Sequence, residues 1–323
     1  MLLELDIADW LNARHFTGRN SALLYCSAHF TSVESEDCSV RSQNALYYTT
    51  MTAAWLILFF LLGAAAGSFL SVIADRLPEG KSIVLTPSHC DACHRRIESH
   101  YLIPIVSYLR LAGRCRYCGA VIPVRSFVVE IVTGLLFAFF YWRFGLSYEL
   151  LIVIVYCCLF IVLVFTDLEH GILPNKIVYP GMGIALVIAA LGTLLGFEPF
   201  FIASAIPRLH RLWIVNAAIG GAVGFVILLV IALVFRGAMG WGDVKLAGLI
   251  GLATGFPLII VAIFLAVVAG GLVAIILLLL KVKKRKESIA FGPFLVTAAM
   301  ATLLWGSELL RWYLVMSKLP IGG

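Results

Sequence analysis

Leu151-Ile152-Val153-Ile154-Val155-Tyr156-Cys157-Cys158-Leu159-Phe160-Ile161-Val162-Leu163-Val164-Phe165 runs without a charge into Thr166-Asp167-Leu168-Glu169. A mirrored arrangement stands at Gly240-Trp241-Gly242-Asp243, where a carboxylate opens another apolar stretch. An acid in hydrocarbon costs roughly 2.5–3.5 kcal/mol at mid-bilayer, so two acids at the rims of apolar runs are functional candidates. Both can occupy one membrane face. There a carboxyl pair can share a proton and activate water, the machinery of an aspartic protease.

Composition agrees with a membrane setting. The 323 residues are 62% hydrophobic and 13% charged, with mean hydropathy +1.01; soluble domains carry nearer a quarter charged residues. The expected class is an all-α polytopic membrane protein of about eight helices with a small loop domain. Candidate spans lie at about 53–74, 126–142, 148–166, 177–197, 213–235, 244–256, 257–280 and 292–315, most of them long enough to cross roughly 30 Å of hydrocarbon. The 244–256 stretch is short and Gly-rich, and such an interruption is tolerated only under a cover of protein or a watery cavity.

The net charge of +6 is concentrated in a few loops, which reads as topology and makes nucleic acid a poor partner. Arg76, Lys81, Arg95, Arg96, Arg110, Arg114, Arg116 and Arg125 share one loop; Lys281, Lys283, Lys284, Arg285 and Lys286 share another. Eight spans put both on the same side as Asp167 and Asp243, and the positive-inside bias makes that side the cytoplasm. Arg208 and Arg211 fall opposite and count weakly against it. The second basic loop also suits anionic headgroups.

The expected organisation is an N-terminal segment 1–50, a first span 51–75, a cysteine loop 76–125, a multi-span region 126–315 and a tail 316–323. Residues 1–50 carry six acids against three arginines with no clear apolar periodicity. One expectation is that translation starts at Met51, which intact mass would decide.

Four of the eight cysteines form two Cys-x-x-Cys pairs, Cys90/Cys93 and Cys115/Cys118. Paired pairs in one polar loop suggest a metal more than a disulfide framework. Four thiolates suit tetrahedral Zn²⁺, and a closed shell leaves no position for substrate water, so the zinc is expected to be structural. Gly113 and Gly119 permit tight turns. His89, His94 and His100 are close enough to substitute but read as solvated loop residues, and Cys157 and Cys158 as small packing residues.

Around the acids, Pro174 keeps the helix before it from continuing, so Asp167 lies at a helix end. Gly240 and Gly242 remove bulk beside Asp243, letting an extended peptide approach it; Lys245 follows. Hydrolysis needs one carboxyl ionised to take a proton from water and the other protonated to bond the substrate carbonyl. Neighbouring carboxyls cannot both ionise easily and titrate in separate macroscopic steps. The plainer alternative is that Asp167 caps a helix and Asp243 pairs with Lys245.

Taken in order along 53–315, these pieces resemble the type IV prepilin leader peptidase/N-methyltransferase family. Gly67-Ser68-Phe69-Leu70-Ser71-Val72 with Arg76-Leu77-Pro78 looks like its opening motif. The cysteine loop runs on through Ile103-Pro104, Ser107-Tyr108-Leu109, Gly113-Arg114-Cys115, Arg125 and Glu130. Asp167 with Leu173-Pro174 looks like the first catalytic motif, Gly240-Trp241-Gly242-Asp243-Val244-Lys245-Leu246 like the second, and Ala290-Phe291-Gly292-Pro293-Phe294-Leu295 like the late motif. Departures are Ser71 for a common Asn, no proline after Cys90, and Asn175 for a frequent Asp.

The resemblance implies cleavage, after a glycine, of the basic leader of type IV prepilins or type II secretion pseudopilins at the bacterial inner membrane. It also implies methylation of the exposed amine from S-adenosylmethionine. No glycine-rich nucleotide loop is present, so methyl-donor residues stay unassigned. Acids such as Asp75, Glu79 or Glu169 are the expected leader contacts. Three rival readings remain: a proton- or cation-coupled transporter using the same carboxylates, a membrane scaffold, and the presenilin-like proteases, which share Gly-x-Gly-Asp but lack the tetracysteine loop.

Overall fold

The computed structural model describes residues 35–78, 80–82, 88–90, 92–98, 101–196, 213–234, 240–281 and 290–317, with side chains from residue 50 onward. Its helices are α1 (Ser35–Arg76), α2 (Val106–Arg110), α3 (Val124–Phe144), α4 (Tyr148–His170), α5 (Asn175–Leu195), α6 (Trp213–Val234), α7 (Trp241–Thr254), α8 (Leu258–Leu279) and α9 (Gly292–Met316). Among the described residues there is no strand, only isolated antiparallel bridges within the cysteine segment. Residues 1–34 with Cys26, and Glu79, His100, Arg208, Arg211 and the basic residues of 282–289 lie outside the described residues. Helix α1 begins within the segment expected to precede the first span.

Among the described residues, seven helices are long and apolar enough to cross a membrane, α1 doing so over Thr50–Arg76. They match seven of the eight expected spans to within a few residues. The eighth, expected at 244–256, is α7: fourteen residues, about 21 Å at 1.5 Å per residue. It is short because it meets protein. Val244 and Leu246–Gly251 are buried, as are Ala253 and Thr254. The long helices, by contrast, present Leu194, Leu279, Phe264 and many other apolar side chains outward, surface that only lipid covers cheaply.

Small residues set the closest approaches. A Cβ on Gly220 of α6 would lie 2.4 Å from the Gly251 carbonyl oxygen of α7, and one on Gly251 would lie 2.1 Å from that of Gly220. Backbone touches backbone there, as small-residue seams allow between membrane helices. Gly63 and Gly67 of α1 approach Thr133 and Glu130 of α3 in the same way. Buried Asn216 of α6 accepts the Phe256 N–H at 2.6 Å, fixing the turn from α7 into α8.

These contacts define two ends. The α7 C-terminus reaches the start of α6, and Thr193 near the end of α5 accepts the Ile214 N–H at 3.0 Å. The opposite end gathers the end of α4, the starts of α7 and α9, and the base of the cysteine segment. Arg125, second residue of α3, ion-pairs there with both Asp75 of α1 and Glu169 of α4.

Candidate active site and cysteine cluster

Asp167 occupies the last turn of α4. Gly171, at φ 59°, closes that helix by donating to the Asp167 carbonyl at 2.9 Å. Pro174 then serves as the N-cap of α5, its carbonyl accepting from Ile177 and Val178. The stop expected from Pro174 is thus divided between a left-handed glycine and a proline restart. Thr166 does not compete for the acid, because its hydroxyl folds back to the Val162 and Leu163 carbonyls.

Asp243 lies in the first turn of α7, whose N-cap is Gly240. Its carboxylate sits against the Gly240 backbone N–H and within electrostatic reach of Asp167. The two acids, 76 positions apart in sequence, therefore share one environment. A Cβ on Gly240 would meet the Asp243 carboxylate at 3.6 Å and the Gly242 backbone nitrogen at 3.9 Å. The Gly242 α-carbon faces buried Leu173, which a Cβ would approach to 3.1 Å. It packs α7 onto the α4–α5 turn. Lys245 donates to Asn175 Oδ1 at 2.9 Å and sits over the Tyr179 ring, tying α7 to α5.

The third wall of the site was quoted from the sequence only as part of a motif. Gly292, first residue of α9, stands against the Asp167 carboxylate, whose Oδ2 a Cβ built on it would approach to 2.4 Å. Asp167 is 8% exposed, and its Oδ2 is buried without a hydrogen-bond partner. The available signal was a Gly-Pro pair opening an apolar run, a usual helix start, but nothing in sequence says which acid that start faces.

Cys90, Cys93, Cys115 and Cys118 converge, with all four sulfurs within 4.8 Å of one another. The pairs form near-identical knuckles. Cys90 N–H donates to Arg95 O and His94 N–H to Cys90 O; Cys115 N–H donates to Ala120 O and Gly119 N–H to Cys115 O. His94 (φ 55°) and Gly119 (φ 73°) take the equivalent left-handed position. Cys90 and Cys118 sulfurs are 3.8 Å apart. A tetrahedral shell with Zn–S near 2.3 Å puts its sulfurs about 3.8 Å apart, so the cluster can hold such an ion. The Cys115 thiol is brought down to about 7 by the Cys118 and Tyr117 backbone N–H groups, aided by the Cys90 and Cys118 sulfurs. Cys118 stands at about 12: the Ala120 N–H lowers it, but desolvation and the Cys93, Cys115 and Cys90 sulfurs outweigh that.

The knuckles are stapled across by Arg95 over the Tyr117 ring at 4.3 Å and by the Tyr117 hydroxyl donating to Glu98 at 2.9 Å. Buried Glu130 of α3 accepts the Ile105 N–H at 2.7 Å, while Tyr108 stacks on Phe127. The cysteine segment is thereby seated on α3. Asp75 and Glu169, two of the acids expected to meet substrate, are both engaged by Arg125.

Residues 61–144 match the Bacterial Peptidase A24 N-terminal domain, and residues 154–275 match the Type IV leader peptidase family. A protein of Bacillus subtilis named prepilin leader peptidase/N-methyltransferase is 30% identical over 262 residues, covering 81% of this chain and 99% of its own length. Proteins of the same name from Myxococcus xanthus and Pseudomonas aeruginosa are 36% and 28% identical; they cover 72% and 83% of this chain, and 65% and 96% of their own lengths. No solved structure matches the chain.

Proposed function

Because the chain belongs to the type IV leader peptidase family, we propose that it removes the basic leader of type IV prepilins or pseudopilins and N-methylates the residue exposed. Asp167 and Asp243 are the catalytic pair in this reading. One carboxylate takes a proton from water as the oxygen attacks the carbonyl carbon of the substrate glycine. The partner, carrying the shared proton, donates to the carbonyl oxygen. Collapse of the tetrahedral intermediate sends a proton to the leaving amine, the new N-terminus.

The observation that carries the reading is that two acids from separate helices lie at one end of the bundle, close enough to interact electrostatically. The cysteine segment is tied to that same end through Arg125. Both acids lie at helix termini, where a substrate helix can also be met unwound. In this reading the enzyme sits in the bacterial inner membrane with this end toward the cytoplasm, the side that the positive-inside bias gives to the basic cysteine loop.

The four cysteines would hold Zn²⁺, fixing the segment between α1 and α3 without supplying a reactive position. S-adenosylmethionine, once bound, supplies the methyl group. Its binding residues are unassigned.

The test is cleavage of a prepilin bearing a Gly–Phe junction by wild type, Asp167→Asn and Asp243→Asn. Each substitution should abolish cleavage in a protein that still inserts and retains zinc. Full cleavage by either variant removes that residue from catalysis, and no cleavage even by wild type removes the peptidase reading.

A further inference from the structure

An aspartate pair works only at a fixed separation, and on the Asp167 side the fixing element is the start of α9. Gly292 is buried there, packed directly onto the Asp167 carboxylate. A Cβ built on Gly292 would fall 2.4 Å from Asp167 Oδ2 and 3.0 Å from Cγ. No side chain fits between helix and acid without displacing the acid. The same Oδ2 is buried and has no protein partner, in a residue only 8% exposed.

The start of a 25-residue helix offers an acid unsatisfied N–H groups and the positive end of the helix dipole. This start is itself anchored. The Phe291 carbonyl accepts from Phe294 and Leu295 at 3.1 Å, the Phe291 and Phe294 rings approach Gly270 of α8, and Leu295 is fully buried.

We propose that Gly292 is a positioning residue for the aspartate pair. Its missing side chain lets the start of α9 close directly onto the Asp167 carboxylate and so sets where that carboxylate sits. The inference rests on the catalytic reading of Asp167 and adds to it a residue from a third helix. Gly292 touches no substrate in this account and acts through Asp167 alone.

The test uses full-length enzyme in detergent micelles, with intact prepilin and, separately, pilin whose leader is already removed. Gly292→Ala is expected to lower kcat for cleavage about 100-fold. Its KM, its methylation of the pre-cleaved pilin and its zinc content should stay close to wild type. A general packing defect would lower both activities together. Thermal midpoints of Gly292→Ala, Asp167→Ala and the double variant complete a cycle. With Oδ2 gone, the added methyl should cost nothing further, so the double variant should melt with Asp167→Ala. The cycle reads the contact whether or not Asp167 is catalytic, which separates failure of this inference from failure of the peptidase reading. Should Gly292→Ala not fold by itself, a folded double variant supports the contact and an unfolded one overturns it. Near-wild-type cleavage by Gly292→Ala, loss of both activities in a folded variant, or additive destabilisation in the double variant also overturns it.

Discussion

Gly251→Ala presses on the seam between α6 and α7. The new Cβ would lie 2.1 Å from the Gly220 carbonyl oxygen, and ordinary contact begins near 3.4 Å, so about 1.3 Å of separation has to be found. Backbone stands on both sides, and no flexible side chain can yield. Overpacking of this kind costs about 1–3 kcal/mol. Asp243 lies about 12 Å along the same short helix, at 1.5 Å per residue, and moves with it. A displacement of about 1 Å in a reacting group costs on the order of 100-fold in rate. Gly251→Ala should therefore cut kcat for prepilin cleavage about 100-fold and lower the thermal midpoint, both read on purified enzyme in micelles. Gly183→Ala of α5 is the control, since its Cβ meets nothing within 4 Å. It should keep full activity and gain up to about 1 kcal/mol from helix propensity. Wild-type turnover by Gly251→Ala, or equal losses in the two variants, would refute the claim that the α6 seam sets the position of Asp243.

Further outcomes are expected. Glu130→Ala deprives the Ile105 N–H of its carboxylate, a loss of about 1.5–3 kcal/mol for a charged acceptor; amide exchange around Ile105 should rise, and unchanged protection would show the contact to be idle. Arg125→Ala breaks ion pairs whose partners are partly exposed, so melting should change by less than about 1 kcal/mol. Stripping metal with a chelator should expose the segment from Ser88 to Ile122 to protease while the long helices stay resistant; an equally resistant stripped segment argues against structural zinc. Cys115 keeps its thiolate down to about pH 7, below the ordinary thiol value of 9.0, because the Cys118 and Tyr117 N–H groups stabilise the anion. That stabilisation is lost as pH falls through 7 and protons compete with metal, so zinc affinity should drop from about pH 8 to about pH 6. An affinity flat over that range contradicts thiolate ligation.

Seven of the helices were legible because each is an apolar run closed by a charge, a glycine or a proline. Lipid on the outside makes composition nearly equivalent to location. The acids were legible for the same reason, since a carboxylate at the rim of such a run has few structural excuses. Cysteine spacing gave the cluster, because the knuckle is a local device whose hydrogen bonds span five residues. What remained hidden depends on which helix faces which. Gly242 could be read as room for substrate, yet it faces Leu173. Gly292 could be read as a helix start, yet its neighbour is an acid 125 positions earlier. Glycine reports that something comes close without reporting what. Arg125 was one basic residue among eight in its loop until Asp75 and Glu169 were seen on either side of it.

The enclosure of α7 bears on how the chain is assembled. A segment that touches almost no lipid gains little by partitioning into the bilayer alone, and one that starts with an acid and spans two-thirds of the hydrocarbon gains less. It has to enter in company, held mainly by α6, with α5 and α9 packed against it. The segment that carries Asp243 would then be among the last to reach its place, so that a half-inserted protein would hold Asp167 without its neighbour.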